Sequence, residues 1–528
     1  MRTAANQILG WKIGISEVGP SPGTLEALAH QADAVGVDFI LGSGEQKLGR
    51  QVPKPIDVRL QPGERLFLTN VLLAKNIRMP AFRLGAFPSG AAETRTAFQL
   101  AKDAGVEILI VDRLPPDLAS IDSLATEYGI SVAVAGSPKA TLQAIGTFTR
   151  KIGIFGSTAS WLKEGLPVVP TLEAVKDRLL VLQVDEPTGA QPDWSGVKTM
   201  LLALYRTETK PALMTVVPNP ERNAPDALMR ALRGFESALQ PVLAMKVEQL
   251  AKTAAIRGPE RLDAQTRQDI DAALPKAVPA QPRKPRKLLV MDVNIAYGGH
   301  ASIPAANYGL EQMGKRTGAY EAVFSNDLNN LRYPQIRQYD AVFLNNTVGM
   351  IFVDPAVREG LTRFVREGGG LGGNHGVSHA SMDWDGFSDM IGVKRGVHRE
   401  RTERAWIKID DPGSPLTVPF AGQGFIHEDE FFRFVNPPYS RDKLHVLLSL
   451  DVVRTDMNQG RTCASPCVRD DADYAVSWIR NYGQGRVFFA VLGHNPTIFT
   501  NPALAEYFLR GVQYILGDLD ADARPSRP

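Results

Sequence analysis

The chain has 528 residues, 44% hydrophobic and 22% charged, with 59 basic against 57 acidic side chains and a net charge of +2. At roughly 100–200 residues per domain this length accommodates two to four domains of ordinary globular composition, and the balanced charge argues against a nucleic-acid surface, since no clustered basic face appears outside one short linker. No apolar run approaches the ~18 residues that cross a bilayer, and Met1–Leu9 lacks the apolar centre of a secretory signal, so the expectation is a soluble protein, cytoplasmic, or periplasmic or secreted if a leader was removed.

From Trp11 to about Leu250, short apolar runs alternate with stretches of helical periodicity, the pattern of repeated strand–helix units on a parallel sheet. Eight runs predict strands, at Trp11–Ser16, Asp38–Leu41, Ala81–Phe87, Glu107–Val111, Ser131–Ala135, Lys151–Phe155, Arg178–Val184 and Ala212–Val217. The segments between them, such as Thr24–Val35, Ala91–Ala104, Leu118–Tyr128 and Val197–Tyr205, carry apolar residues at helical spacing. Eight such units in about 240 residues predict a closed (β/α)8 TIM barrel over residues 10–250. Barrel enzymes place catalytic groups just beyond the strands. Here those positions hold Glu17, Glu45, Asp112, Asp185 and Glu186, while the half's one histidine, His30, falls inside a predicted helix.

The stretches AFQLAKDAGVEILIV and IDSLATEYGISVAV have a cadence that resembles the xylose-isomerase-like barrels of the sugar isomerase and epimerase superfamily. The resemblance implies a divalent metal held by Glu, Asp and His at the strand ends. In this chain those ends read Ala135-Gly136-Ser137, Phe155-Gly156-Ser157, Val184-Asp185-Glu186 and Val217-Pro218-Asn219. The expectation is therefore a degenerate barrel without the usual metal chemistry, one that binds a sugar, supports a second domain or helps form an interface. A barrel active through Glu17, Asp185 and Glu186 is the competing expectation.

Around Gly258–Arg267 the pattern turns polar, and LPKAVPAQPRKPRK (Leu274–Lys287) predicts an extended, semi-rigid connector, so residues 251–286 read as a linker. Arg283, Lys284, Arg286 and Lys287 read as its solvated charges. A second α/β pattern follows. Lys287–Val293, Glu321–Phe324 and Tyr339–Asn345 are strand-like, and Pro355–Arg366 is an amphipathic helix. EGGGLGGNHG (Glu367–Gly376) places a strand and a glycine-rich turn before His375, and YGQGRVFFAVLGH (Tyr482–His494) runs a strand into His494. Glycines on both sides of a polar residue at a strand end allow the strained turn of a nucleophile elbow, which lifts that side chain into a cleft.

These pieces, together with FIHEDEFFRF (Phe425–Phe434), SWIRNYGQGRVFFAVLGH and FLRGVQYILGD (Phe508–Asp518), resemble the ThuA-like domains over residues 287–518. That family is named for trehalose utilisation, and the resemblance implies a flavodoxin-like, class I glutamine-amidotransferase-like α/β sandwich. Glutamine amidotransferases carry cysteine at the elbow, whereas ThuA-like proteins and this chain have histidine, at His375. Amide hydrolysis through a thioester is excluded there. His494 falls where the amidotransferase fold supplies its catalytic histidine, and the acidic pair before an aromatic residue implies site roles for Asp429 and Glu430.

Histidine usage points the same way without the family. Seven of the eight, His300, His375, His379, His398, His427, His445 and His494, lie beyond residue 286, and imidazole suits both proton transfer near neutral pH and metal ligation. His375, His494, Asp429 and Glu430 are the catalytic candidates. His300, in the loop after the first strand of this half, is a candidate for substrate binding with Asn346, Asn374 and His379. Asn345 and the backbone N–H groups of Gly373 and Gly376 are further donors for an oxyanion. His398 stands between a site and a surface role, His427 opens an acidic turn, and His445, in the alternating run KLHVLLSL, reads as a strand residue. A divalent metal is a possible cofactor, with His375, His494 and His300 as candidate ligands, although no HExxH spacing marks it. No nucleotide cofactor is expected, since no convincing GxGxxG follows a strand. Cys463 and Cys467 admit a local disulfide, two thiols or a share in a metal site, and they exclude a disulfide-rich scaffold.

The two resemblances share carbohydrate metabolism through 3-keto sugars and 3-keto glycosides. A C3 ketone acidifies the neighbouring C–H groups, so a histidine or carboxylate base and an oxyanion stabiliser suffice for enolisation. The expectation is an isomerase, lyase or hydrolase working by acid–base or metal-assisted enolisation in the second half. The alternative is a non-catalytic carbohydrate-binding or scaffold protein with two degenerate enzyme domains. In either case the expected partner is a small carbohydrate, with no nucleic acid and no membrane, and oligomerisation is open.

Overall fold

The computed structural model describes residues 4–17, 23–189, 191–220, 226–399, 402–434, 437–457 and 469–526. Cys463 and Cys467 lie outside the described residues. The chain divides into two compact units, Met1–Leu243 and Ala244–Pro528.

In the first unit eight parallel strands close in sequence order: β1 (Ile13–Ser16), β2 (Phe39–Ser43), β3 (Arg78–Gly85), β4 (Ile108–Val111), β5 (Ser131–Val134), β6 (Ile152–Ser157), β7 (Leu179–Asp185) and β8 (Leu213–Val217), with β8 returning to β1. The helices that cover them are α1 (Leu25–Ala34), α2 (Pro62–Leu73), α3 (Ala91–Asp103), α4 (Leu118–Tyr128), α5 (Pro138–Ile145), α6 (Thr158–Lys163), α7 (Val168–Val175) and α8 (Ser195–Arg206). With helices outside and side chains inside, the strands are buried on both faces, which is why β4 reads Ile-Leu-Ile-Val without alternation. Phe39, Leu41, Ala81, Ile108, Ile110, Ala133, Phe155, Val181 and Leu213 form one buried cluster, drawn from seven of the strands. Side chains at the helix starts satisfy free N–H groups: Thr24 accepts from Ala27 and Asp117 from Ser120. β3 begins at Arg78, ahead of the expected Ala81, because the Arg78 N–H already donates to Asp38 O at the edge of β2.

A long helix, α9 (Ala227–Thr253), begins in the first unit and ends in the second. The expected linker takes a different course from an extended solvated connector. It includes α10 (Ala264–Ala273), and its proline-rich part lies against its own unit. The Ala280 backbone exchanges two hydrogen bonds with the buried Gln513 side chain, and the Arg286 guanidinium, 10% exposed, pairs with Asp518 at 2.7 Å and Asp340 at 3.1 Å. Buried Asp518 and part-buried Asp340, each more than fifty residues away, thus hold a charge that local composition makes look solvated.

The second unit is built on a nine-stranded sheet in the order β10-β9-β11-β12-β17-β16-β15-β13-β14. Its parallel half comprises β9 (Lys287–Met291), β10 (Glu321–Phe324), β11 (Ala341–Asn345), β12 (Gly370–Asn374) and β17 (Gly485–Ala490). The order of these five is the flavodoxin-like one. The other half, β13 (Glu403–Ile409), β14 (Phe425–Asp429), β15 (His445–Leu450) and β16 (Ala475–Tyr482), is antiparallel. The helices are α11 (Ile303–Thr317), α12 (Pro355–Arg366), α13 (Asp385–Ile391) and α14 (Pro502–Ile515). A bidentate pair, Arg433 with Glu403 on β13, is fully enclosed with both bonds at 2.6 Å. Glu403→Ala leaves the arginine charged and unpaired in the interior, and we expect a loss of about 3–5 kcal/mol in denaturant unfolding.

Candidate active site

In the parallel half of the sheet, β9 has β10 on one side and β11 on the other, so the chain changes direction across the sheet between β9 and β11. Open α/β sheets bind ligands beyond the carboxyl ends of their strands at such a point. His300 ends the loop that follows β9, His375 follows β12 directly, and His494 follows β17 within a few residues. Glu430 arrives from the antiparallel half, immediately after β14.

The expected elbow has the backbone it needs. His375 adopts a φ of 41° between β12 and a short 3-10 turn, His375–His379. The glycine that follows is required for contact: a Cβ on Gly376 would lie 2.8 Å from Val348 Cγ2 and 3.1 Å from His300 Cε1. The turn before His494 is just as constrained, with Gly493 at φ 116° and a hypothetical Cβ 2.5 Å from Asn374 Nδ2.

Four side chains converge. His375 Nε2 lies 3.2 Å from His494 Nδ1 and 3.3 Å from Glu430 Oε2, and His494 Nδ1 lies 3.5 Å from the same oxygen. The His300 ring stands edge-on to both histidines, with centroids 4.7 and 5.1 Å away. His375 Nδ1 lies 2.9 Å from the Val491 carbonyl. A carbonyl only accepts, so Nδ1 carries a hydrogen, and Nε2 is either protonated toward Glu430 or presents a lone pair to the cluster. Phe432 stacks on His375 at 4.5 Å and holds its plane. The other Glu430 oxygen, Oε1, faces His398 Nδ1 at 3.2 Å, and the Tyr297 hydroxyl is 3.4 Å from His300 Nε2. Tyr297, His300, His398, Glu430, His494 and Asn495 line a cavity open to solvent, with His375 enclosed behind them.

Burial, reinforced by the nearby His375 and His494, pulls His300 down to about 3, so it is neutral at physiological pH. Burial likewise takes His379 down to about 4. Burial alone would raise Glu430, but its bonds to His375 and His494 outweigh that and hold it below the usual carboxylate range. An ionised carboxylate therefore sits among imidazoles.

This donor set fits a divalent metal. Among the described residues, His300, His375, Glu430 and His494 form the one group whose ligand atoms all lie within 4.8 Å of each other. In addition, His300 Nδ1 is buried without a hydrogen-bond partner. Three imidazoles and a carboxylate suit zinc and related divalent ions.

The other expected site residues lie elsewhere. Asp429 is fully buried and does not face the cluster; Oδ2 accepts from Gly493 N–H at 2.7 Å and Oδ1 from Asn495 N–H at 2.9 Å, which clamps the turn on both sides of His494. His379 lies behind the elbow with Nδ1 3.1 Å from Ser378 Oγ. Asn346 and Asn374 are buried in the framework: the Asn346 amide donates to Gly493 O, its Oδ1 accepts from Gly376 N–H, and Asn374 Oδ1 accepts from Asn346 N–H. Asn345 donates to Ile303 O and Asn307 Oδ1. His427 is buried beside Asp429, and His445 opens β15, with Nε2 against Asp411. In the barrel, Asp112 pairs with Arg83, Glu186 accepts from Asn219 N–H and Arg230, and Asp185 accepts from Ser157, Thr158 and Ala159. Glu17 accepts from Gly23 N–H, and Glu45 is exposed. Tyr297 and Phe432 join the site without having been singled out for it, and His398, which the sequence leaves between a site and a surface role, stands at the site. Their signals were weak: a tyrosine three residues before His300, a histidine among basic residues, and the second aromatic of HEDEFF.

A flavodoxin-like sheet with a histidine–carboxylate cluster beyond its strand ends is the architecture that the ThuA-like resemblance implies. Residues 287–515 match the ThuA family, described as trehalose utilisation, and this part of the chain is a ThuA domain. Similar solved structures include a ThuA-like protein from Bacteroides uniformis (18% identity, TM-score 0.37, covering 44% of this chain and 93% of that one). Others are a sugar phosphate isomerase/epimerase from Parabacteroides distasonis (10%, 0.31, 42% and 94%) and an L-ribulose 3-epimerase (13%, 0.33, 44% and 97%). No curated protein sequence matches the chain. Among the described residues no helix is long and apolar enough to cross a membrane.

Proposed function

We propose that the ThuA domain is an enzyme acting on a keto sugar or 3-keto glycoside by enolisation, followed by isomerisation or loss of the glycosidic group. The observation that carries this reading is the convergence of His300, His375, His494 and ionised Glu430 beside an open cavity. His494, 21% exposed at its side chain, is the base that removes the proton next to the substrate ketone, and the imidazolium it becomes is stabilised by the Glu430 carboxylate. His375, held by Val491 O and Phe432, fixes His494 from behind. In a metal-assisted form His300, His375, His494 and Glu430 would hold a divalent metal that would supply Lewis-acid polarisation of the substrate carbonyl, and His494 would then serve as a ligand in place of its role as base. From the enediolate, return of the proton to the neighbouring carbon gives the isomer. In a 3-keto glycoside whose C2 proton has been removed, breaking the C1–O bond expels the aglycone, and the proton taken up by His494 passes to the leaving oxygen to give the alcohol.

Elemental analysis of protein purified without a metal-affinity tag tests the metal-assisted form. About one equivalent of divalent metal per chain is expected, falling below about a tenth in His375→Ala. Metal-free, active protein would leave acid–base catalysis by the histidines alone.

A further inference from the structure

We propose that Arg257, which lies upstream of the matched ThuA residues, is a positioning residue that holds His300 in the cluster. His300 has few holds of its own. Its Nδ1 has no hydrogen-bond partner, its Nε2 meets the Tyr297 hydroxyl at 3.4 Å and its carbonyl accepts from Ile303 N–H at 3.2 Å, while the loop, bridged to Val348 at Asn294, has no such pairing at Gly298 and Gly299 just before it. Its position therefore depends on what fixes that loop.

One guanidinium ties both ends of the loop. Arg257 Nη1 donates to the Asp292 carbonyl at 2.8 Å, where the loop leaves β9, and Nη2 donates to the Gly298 carbonyl at 3.2 Å, two residues before His300. Gly299, at φ 86°, lets the guanidinium lie against the backbone: a Cβ there would be 2.8 Å from Arg257 Nη2.

Arg257 is itself anchored by buried groups. Its N–H donates to Asp292 Oδ2 at 2.8 Å, and its carbonyl accepts from Asn307 Nδ2 at 3.0 Å. Asp292, with no exposed surface, also accepts from Asn307 Nδ2 at 2.8 Å and Asn326 Nδ2 at 2.7 Å, so its charge is fully engaged. Asn307 Oδ1 accepts from Asn345, whose neighbour Asn346 accepts from the Gly376 N–H behind His375. A single buried polar chain thus supports His300 on one side and the elbow on the other. Residues near 257, read from sequence as linker, complete the domain's site.

The functional weight of Arg257 rests on the role proposed for the cluster, but its hold on His300 does not, and the test reads both. The full chain, as wild type, Arg257→Ala and Arg257→Lys, is treated with diethyl pyrocarbonate, and modification of each histidine is followed by peptide mass spectrometry. His300 is expected to react about tenfold faster in Arg257→Ala and at an intermediate rate in Arg257→Lys, with remote His445 unchanged. Wild-type reactivity of His300 in both variants would overturn the proposal. If all histidines of Arg257→Ala react together, that variant has unfolded and Arg257→Lys decides alone: faster His300 supports the proposal and an unchanged rate overturns it.

Cobalt(II) titration of the same proteins separates this inference from the metal reading. Arg257→Ala is expected to weaken cobalt about tenfold, with no further loss when it is added to His300→Ala. Additive losses would contradict action through His300. A wild type that binds no cobalt would instead overturn the metal-assisted chemistry and leave the His300 rates to judge Arg257.

Discussion

Glu430→Gln is expected to lower turnover of a 3-keto glycoside by about 10²–10⁴-fold while leaving the folded structure in place. The carboxylate has one oxygen against His375 and His494 and the other against His398. Removing its charge deprives the imidazolium formed at His494 of its counter-charge at the step where it forms. Glutamine keeps the volume, so the loss should appear in kcat, with KM changed only a few-fold. Steady-state kinetics beside a thermal melt check this. An unchanged kcat would remove Glu430 from the reaction.

Asp429, its neighbour, is expected to give the opposite division between stability and chemistry. It accepts from the N–H groups of both Gly493 and Asn495, and each buried donor left without an acceptor costs about 1–3 kcal/mol. Asp429→Ala should therefore lose about 2–6 kcal/mol in denaturant unfolding, and turnover should fall because His494 is no longer held. Asp429→Asn retains one carbonyl oxygen and should recover part of both losses. If Asp429→Asn lost as much turnover as Glu430→Gln at wild-type stability, Asp429 would have to touch substrate.

This pair also marks where sequence stops being informative. The motif HEDEFF brings two acids to one place. Successive residues leaving a strand face opposite sides, and nothing local says which side holds the cluster. His375 and His494 were legible because a site at a strand end needs glycine beside it, and the sequence supplies Gly373, Gly376 and Gly493. The barrel strands were legible because parallel strands covered on both faces are continuous apolar runs. Arg286 and Arg257 were not, since each finds its acidic partner far along the chain, at Asp518 and Asp292. Read locally, both are linker charges.

The central claim is that the histidine cluster enolises a keto sugar, and the most direct measurement is hydrogen exchange next to the ketone. Methyl 3-keto-glucoside is incubated in D2O with wild type, His494→Ala and Glu430→Gln, and the C2 and C4 positions are followed by NMR together with methanol release. The account predicts deuterium incorporation or methanol release catalysed by wild type and reduced about 10²-fold or more in both variants. Wild type that binds the keto glycoside and catalyses neither would contradict it, and would make the domain a carbohydrate-binding protein.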